Sequence, residues 1–336
     1  MVAHISLRNC LLACICILPT LWGMKDEYYP IVEVQGLRTF DESAYQDFNT
    51  KLDKEFPGIE HYQVKVGSGA LTELYMGSAW DVLKKFDTGI QAVVQKFIKN
   101  RKYILVGQSW GAGMARFWLE HYSYQAQLQQ VVEYYGICGI QDGYYGVPDG
   151  SSDFIKNALT AKNLAWLAPL CNTIVSKGYP VSWPLMYSCC MQNKLAFPGI
   201  WKDPRHPSLY LRKCRFLPIL NNLVAHASQD SYKLNLSSLK RLHFISSDND
   251  PVIKPHENSI FLKPGQVCFE QTPYYQDDLL GIKTLYNQKD VTFDTFTAAH
   301  ECQSDPNIAA KLIEYIRFAQ RERIQKKLPL TISSPI

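Results

Sequence analysis

A serine, an aspartate and a histidine, met in that order along the chain, could together perform acyl transfer. The serine is Ser109, at the centre of Gly107-Gln108-Ser109-Trp110-Gly111. A serine hydroxyl is a poor nucleophile until a base takes its proton, and an imidazole does this well when a carboxylate orients it. Two later stretches offer the partners: Ser247-Asp248-Asn249-Asp250-Pro251-Val252 and Thr297-Ala298-Ala299-His300-Glu301. In that scheme Ser109 attacks a carbonyl, His300 acts as base and then as acid, and Asp250 holds the ring. Asp248 is a rival acid two residues away, and Asp142 a more distant one. Of the eight histidines, only His300 follows a late strand. His4 lies in the leader, His61 and His243 begin or sit inside strands, and His121, His206, His226 and His256 fall in helical or polar loop settings.

The elements that must position these groups are legible around them. Residues 103–106 form an apolar run before Ser109, and a helical pattern follows from 112 to 121. Strand, Gly-x-Ser-x-Gly and helix together are the setting of a nucleophile elbow. The elbow exposes the serine and aims the N–H of Trp110 at a developing oxyanion. A second donor belongs on the loop after an early strand, where Gln35-Gly36-Leu37 offers the N–H of Leu37; a glycine there serves equally as a simple turn. Strands are predicted over 29–34, 62–66, 103–106, 131–137, 242–246 and 291–296. Helices are predicted over 43–56, 80–99 and 308–326, with Phe86, Ile90, Val93, Val94, Phe97 and Ile98 at helical spacing. Such alternation predicts an α/β fold, a mostly parallel sheet with helices on both faces.

Between 149 and 231 the pattern changes to tryptophans, leucines and prolines with no clear strand. This is either a second helical layer or an insertion whose apolar wall holds a greasy substrate, and the two are compatible.

Composition narrows the classes. The chain has 336 residues and a net charge of +4, with 20% charged residues of both signs. No basic block points to nucleic acid, and the arginine- and lysine-rich stretch 317–327 fits the end of a last helix. A positive start, the apolar run 11–18 and the polar Lys25-Asp26-Glu27 have the layout of a signal peptide over residues 1–23, too short to span a bilayer and cut near Gly23, with an uncleaved anchor as the alternative. No later segment qualifies as a span, so residues 24–330 are expected to form a single domain with the 149–231 insertion. Seven cysteines remain after the leader: Cys138, Cys171, Cys189, Cys190, Cys214, Cys268 and Cys302. In an oxidising route some of them pair, with connectivity open, and no spacing resembles a zinc site. Nothing calls for a metal or cofactor. Asn235-Leu236-Ser237 is an N-glycosylation acceptor triplet.

The sequence resembles the palmitoyl-protein thioesterases over most of residues 29–318. The resemblance rests on the elbow, on Gly139-Ile140-Gln141-Asp142-Gly143 with Gly146 and Pro148, and on Trp201-Lys202-Asp203-Pro204. It also rests on Asp250-Pro251-Val252, on Tyr275-Gln276-Asp277 with Gly281 and Leu285, and on His300. It implies an α/β-hydrolase with a helical insertion, entering the secretory pathway and ending in lysosomes or outside the cell. It also implies hydrolysis of long-chain acyl thioesters on protein cysteines or coenzyme A. Carried over, Ser109 is nucleophile, His300 base, Asp250 orienting acid, and Leu37 and Trp110 oxyanion donors. The chain departs from the family in having Gln35-Gly36 for His-Gly, Arg38-Thr39 for an aspartate, and Trp110 for glutamine, changes expected to alter the mouth of the site. A lipase or esterase acting on oxygen esters, and a hydrolase-fold lipid-binding protein without turnover, are the competing functions.

Overall fold

The computed structural model describes residues 27–36, 43–64, 77–122, 130–145, 183–300 and 302–327. Six strands form one sheet: β1 (Ile31–Val34), β2 (His61–Val64), β3 (Tyr103–Gln108), β4 (Val131–Ile137), β5 (Arg241–Ser247) and β6 (Val291–Phe296). Their order is β2-β1-β3-β4-β5-β6 and every pairing is parallel. All strand carboxyl ends therefore meet at one edge, where sheets of this kind place their reactive loops.

Strand residues alternate between two cores. Tyr103 and Leu105 join Val32 and Phe244 on one face, while Ile104 and Val106 join Ile31 and Ile245 on the other. The first face is covered by helices α2 (Ala79–Val93) and α3 (Trp110–Tyr122) and by residues 183–287. The second is covered by α1 (Ser43–Glu55) and the last long helix, Pro306–Lys327. Helix α2 starts as its sequence dictates, with a capping box in which the Ser78 hydroxyl accepts from Asp81 N and Asp81 answers to Ser78 N. Its continuation, Val94–Ile98, is a π-helical turn ending at Lys99 with φ 57°. The helical period seen in the sequence is thus right, but its last turn is wider than 3.6 residues.

The described part of the insertion is a series of short helices without strands, from Trp183–Met186 to Leu217–Leu220, followed by α4 (Gln229–Ser237). It is clamped to the loop after β4. Tyr144 N donates to Ile200 O, and Lys202 N donates to Tyr144 O. Beneath this bridge the buried Arg116 of α3 donates to Gln141, to Glu120 and to Asn221. Asp203 is fully buried and accepts from Arg205 and from His206 Nδ1. The Trp201–Pro204 stretch is thereby a docking element rather than a source of reactive groups.

Two expectations change or fall outside view. Asn235 is 5% exposed and its amide nitrogen donates to the Glu120 carbonyl, so a glycan on that nitrogen does not fit the folded chain. The leader and residues 149–182 lie outside the described residues. Among the described residues no helix is long and apolar enough to cross a membrane.

One buried carboxyl gives the fold a pH dependence. Glu33 on β1 is fully buried, and burial raises its pKa from 4.5 to about 7, against hydrogen bonds from Asn49 and Gln63. Between these two values the unfolded chain releases a proton that the folded chain keeps. The stability from this group is therefore complete below pH 4.5 and is lost as pH rises through 7. The shift corresponds to about 3 kcal/mol. Glu120, likewise raised to about 7 by burial, adds with the same sign, while His121 and His226, lowered by burial, oppose it. Glu33→Gln should flatten the gain in melting temperature between pH 7.5 and pH 5, measured by calorimetry against the wild type. An unchanged slope would contradict the assignment.

Candidate active site

Ser109 sits between β3 and α3 with φ 55°, a left-handed conformation that side chains rarely adopt. The strain is held by neighbours on both sides. Ser109 N donates to Ile137 O at 2.9 Å, and Ser109 O accepts from Ala112 N at 3.1 Å as the helix begins. Gly111 allows α3 to run close under β1, because a β-carbon there would lie 2.4 Å from the Val34 carbonyl oxygen. That neighbour is backbone and cannot swing aside. Gly111→Ala should therefore lower the unfolding free energy by about 3 kcal/mol, read from urea melts. A loss within error would mean that the elbow can spread.

The three sequence-selected residues converge at the sheet edge. Ser109 Oγ lies 2.7 Å from His300 Nε2, and His300 Nδ1 lies 2.8 Å from Asp250 Oδ2. Asp250 is buried; its Oδ1 accepts from Val252 N at 2.7 Å and Ile253 N at 3.1 Å, leaving Oδ2 for the imidazole. His300 keeps 13% of its side chain exposed and Ser109 is 7% exposed. Chemically this is a hydroxyl with a proton acceptor in hydrogen-bond range and an acceptor whose ring is fixed by a carboxylate.

The rivals are occupied elsewhere. Asp248 is exposed and accepts from Thr297 Oγ1 at 3.1 Å. Asp142 is buried in the clamp, paired with Lys202 and with the Tyr274 hydroxyl. His243 is stacked between Tyr135 and Tyr315 under the last helix, and His121 bonds the Tyr232 hydroxyl.

Trp110 opens α3, where the first backbone N–H groups have no partner within the helix. Its indole, however, is 1% exposed in the core on the α2 and α3 face, with Nε1 unpartnered. The Trp110 side chain is thus not presented at the mouth of the site, contrary to the sequence expectation. Gln35 is likewise buried and donates to Gln63 Oε1 on β2. Leu37 lies outside the described residues. Its neighbour Gly36 does lie against the nucleophile, since a β-carbon on it would be 2.9 Å from Ser109 Cβ.

Three contributors escaped the sequence. Gln108 Nε2 donates to the His300 carbonyl at 3.2 Å. Ser247 Oγ accepts from Ala298 N at 2.9 Å and donates to Ala298 O. A disulfide joins Cys138, just after β4, to Cys302, two residues past His300. The signal for that bond was present in part, because both cysteines follow strand ends at the reactive edge.

A strand–serine–helix elbow at the carboxyl edge of a parallel sheet, with histidine and aspartate on later loops, defines an α/β hydrolase. The sequence profile of the palmitoyl protein thioesterase family matches residues 30–300, and the chain belongs to that family. It is a hydrolase of the thioesterase class. It is 27% identical over 281 residues to palmitoyl-protein thioesterase 3 of Dictyostelium discoideum, covering 81% of this chain and 84% of that protein. It is 23% identical over 286 residues to lysosomal thioesterase PPT2-B of Xenopus laevis, covering 82% and 88%. Among solved structures, 2-hydroxy-6-oxo-6-phenylhexa-2,4-dienoate hydrolase of Rhodococcus sp. strain RHA1 aligns at TM-score 0.45 and 13% identity, covering 87% of this chain and 92% of that one.

Proposed function

We propose that this chain hydrolyses long-chain fatty acyl thioesters, on protein cysteines or on coenzyme A, through an acyl-enzyme on Ser109. The observation that carries the proposal is the unbroken relay from Ser109 Oγ through His300 to Asp250 in a chain of this family. Ser109 Oγ attacks the thioester carbonyl while His300 Nε2 takes its proton. The tetrahedral oxyanion is met by the Trp110 N–H and a second backbone donor from the loop that begins at Gln35 and Gly36, for which Leu37 is the candidate. Collapse breaks the carbon–sulfur bond, and the thiol leaves with the proton from His300. Water then attacks the acyl-serine, His300 again moving the proton, and the fatty acid departs.

Residues 1–23 act as a signal peptide in this proposal, residues 24–330 form the enzyme, and the 149–231 insertion supplies the acyl wall. The secretory route, ending in lysosomes or outside the cell, is supported by the disulfide and by the lysosomal name of the Xenopus relative.

The test is hydrolysis of palmitoyl-coenzyme A, a palmitoylated cysteine peptide and a matched oxygen ester, each beside Ser109→Ala. Serine-dependent thioester cleavage is the expected result, and the faster thioester identifies the substrate class. Cleavage of the oxygen ester alone would make the enzyme an esterase or lipase. Silence on all three by well-folded protein would favour a lipid-binding role.

A further inference from the structure

We propose that the Cys138–Cys302 disulfide is a positioning element of the active site, holding His300 and Asp250 in register so that turnover needs the bond intact. This rests on the reading that Ser109, His300 and Asp250 carry out the hydrolysis.

The bond joins two parts of the site that are far apart in the chain, 164 residues in sequence. Cys138 is fixed to the sheet. It is fully buried, its N–H donates to Ile245 O at 2.7 Å, and the carbonyl just before it accepts from Ser109 N. One end of the disulfide is thus one residue from the group that holds the nucleophile's backbone. Cys302 is also fully buried and lies two residues past the base. On the other side of His300 the loop is tied through Ala298 to Ser247, and Gln108 holds the His300 carbonyl itself. The disulfide therefore secures the downstream side of a loop whose upstream side is held by hydrogen bonds.

The sulfurs also meet the acid. The two Sγ atoms and a carboxylate oxygen of Asp250 all lie within 4.8 Å of one another. In the disulfide neither sulfur carries a proton, so the donors meeting this carboxylate are His300 Nδ1 and the N–H groups of Val252 and Ile253. Reduction by a dithiol breaks the S–S bond, delivers two electrons and two protons, and leaves two thiols and an oxidised dithiol. It would free the downstream side of the loop and bring two S–H donors beside Asp250, where they compete with His300. Both effects disturb the base rather than the binding of substrate, so kcat should fall while KM stays nearly constant.

The experiment uses the full-length oxidised protein and two readouts: the rate at which a fluorophosphonate labels Ser109, and the kcat and KM for a palmitoyl thioester. Both are measured before and after dithiothreitol, with mass spectrometry verifying the state of Cys138 and Cys302 and circular dichroism following the fold. Reduction should lower labelling and kcat by at least about tenfold, toward the hundredfold cost of a misplaced catalytic group, with KM changed by less than about threefold. Reoxidation should restore both. Cys138→Ala with Cys302→Ala should show the same loss and no response to dithiothreitol, which excludes the other cysteines, Cys189, Cys190, Cys214 and Cys268 among the described residues, as its source. Folded, reduced protein that labels and turns over at the oxidised rate overturns the proposal alone. Loss of labelling together with unfolding makes the bond a fold staple and also overturns it. Absence of labelling in oxidised wild type overturns the Ser109 reading, and this proposal with it.

Discussion

Ser109→Ala should fold as the wild type does and lose thioester hydrolysis by a factor of about 10⁴ to 10⁶, the scale on which removal of a nucleophile acts. The substitution deletes only the hydroxyl that lies 2.7 Å from His300 Nε2. Alanine and serine carry the same steric penalty at φ 55°, so the elbow's strain is unchanged, and the bond from Ser109 N to Ile137 O is a backbone contact that survives. His300 is partly exposed, so water takes the place of the lost hydroxyl at little cost to stability. The expected result is a melting temperature close to that of wild type, no fluorophosphonate adduct and no turnover above background. Retention of full activity in this variant would remove Ser109 from the chemistry and with it the acyl-enzyme route.

Much of the frame was readable because its residues obey short-range rules. The runs 131–137 and 291–296 appear as β4 and β6 with the same limits, and 103–106 needed only Gly107 and Gln108 added. In β3 both alternating sets are apolar, Tyr103 and Leu105 on one side and Ile104 and Val106 on the other, which is how a strand buried on two faces looks in sequence. Serine, aspartate and histidine were identifiable because each follows a strand, and parallel strands deliver their carboxyl ends to one edge.

What stayed hidden depends on contacts between distant parts of the chain. Gln108 reads as the variable position of a motif, and only the meeting of β3 with the 297–300 loop turns it into a tether for His300. Pairing of Cys138 with Cys302 requires that same meeting, and spacing alone cannot choose it from seven cysteines. The Asn235 triplet is a local pattern, but the burial of its amide against α3 is tertiary. Trp110 is judged in sequence by its neighbour Ser109, whereas its indole belongs to the core that α2 and α3 share.

The acid can be separated from its rival by one amide at each position. Asp250→Asn should lower kcat by about 10⁴, while Asp248→Asn should change it by less than about threefold. The cause of the first loss is the tautomer of the imidazole. Asp250 Oδ1 is held by two backbone N–H groups, so in the asparagine the oxygen stays with Val252 and Ile253 and the NH₂ turns toward His300 Nδ1. An NH₂ donates, so Nδ1 must present its lone pair and the ring proton moves to Nε2. Nε2 then faces Ser109 with a hydrogen already attached and cannot accept the hydroxyl's proton. Geometry is kept and basicity is lost. Asp248 lies in the same loop but is exposed and bonded to Thr297 Oγ1, an acceptor role that an asparagine oxygen can retain. Measuring kcat on one palmitoyl thioester for both variants distinguishes the two: a large loss at 248 and none at 250 would transfer the orienting role to Asp248 and require the His300 loop to adopt a different arrangement when substrate is bound.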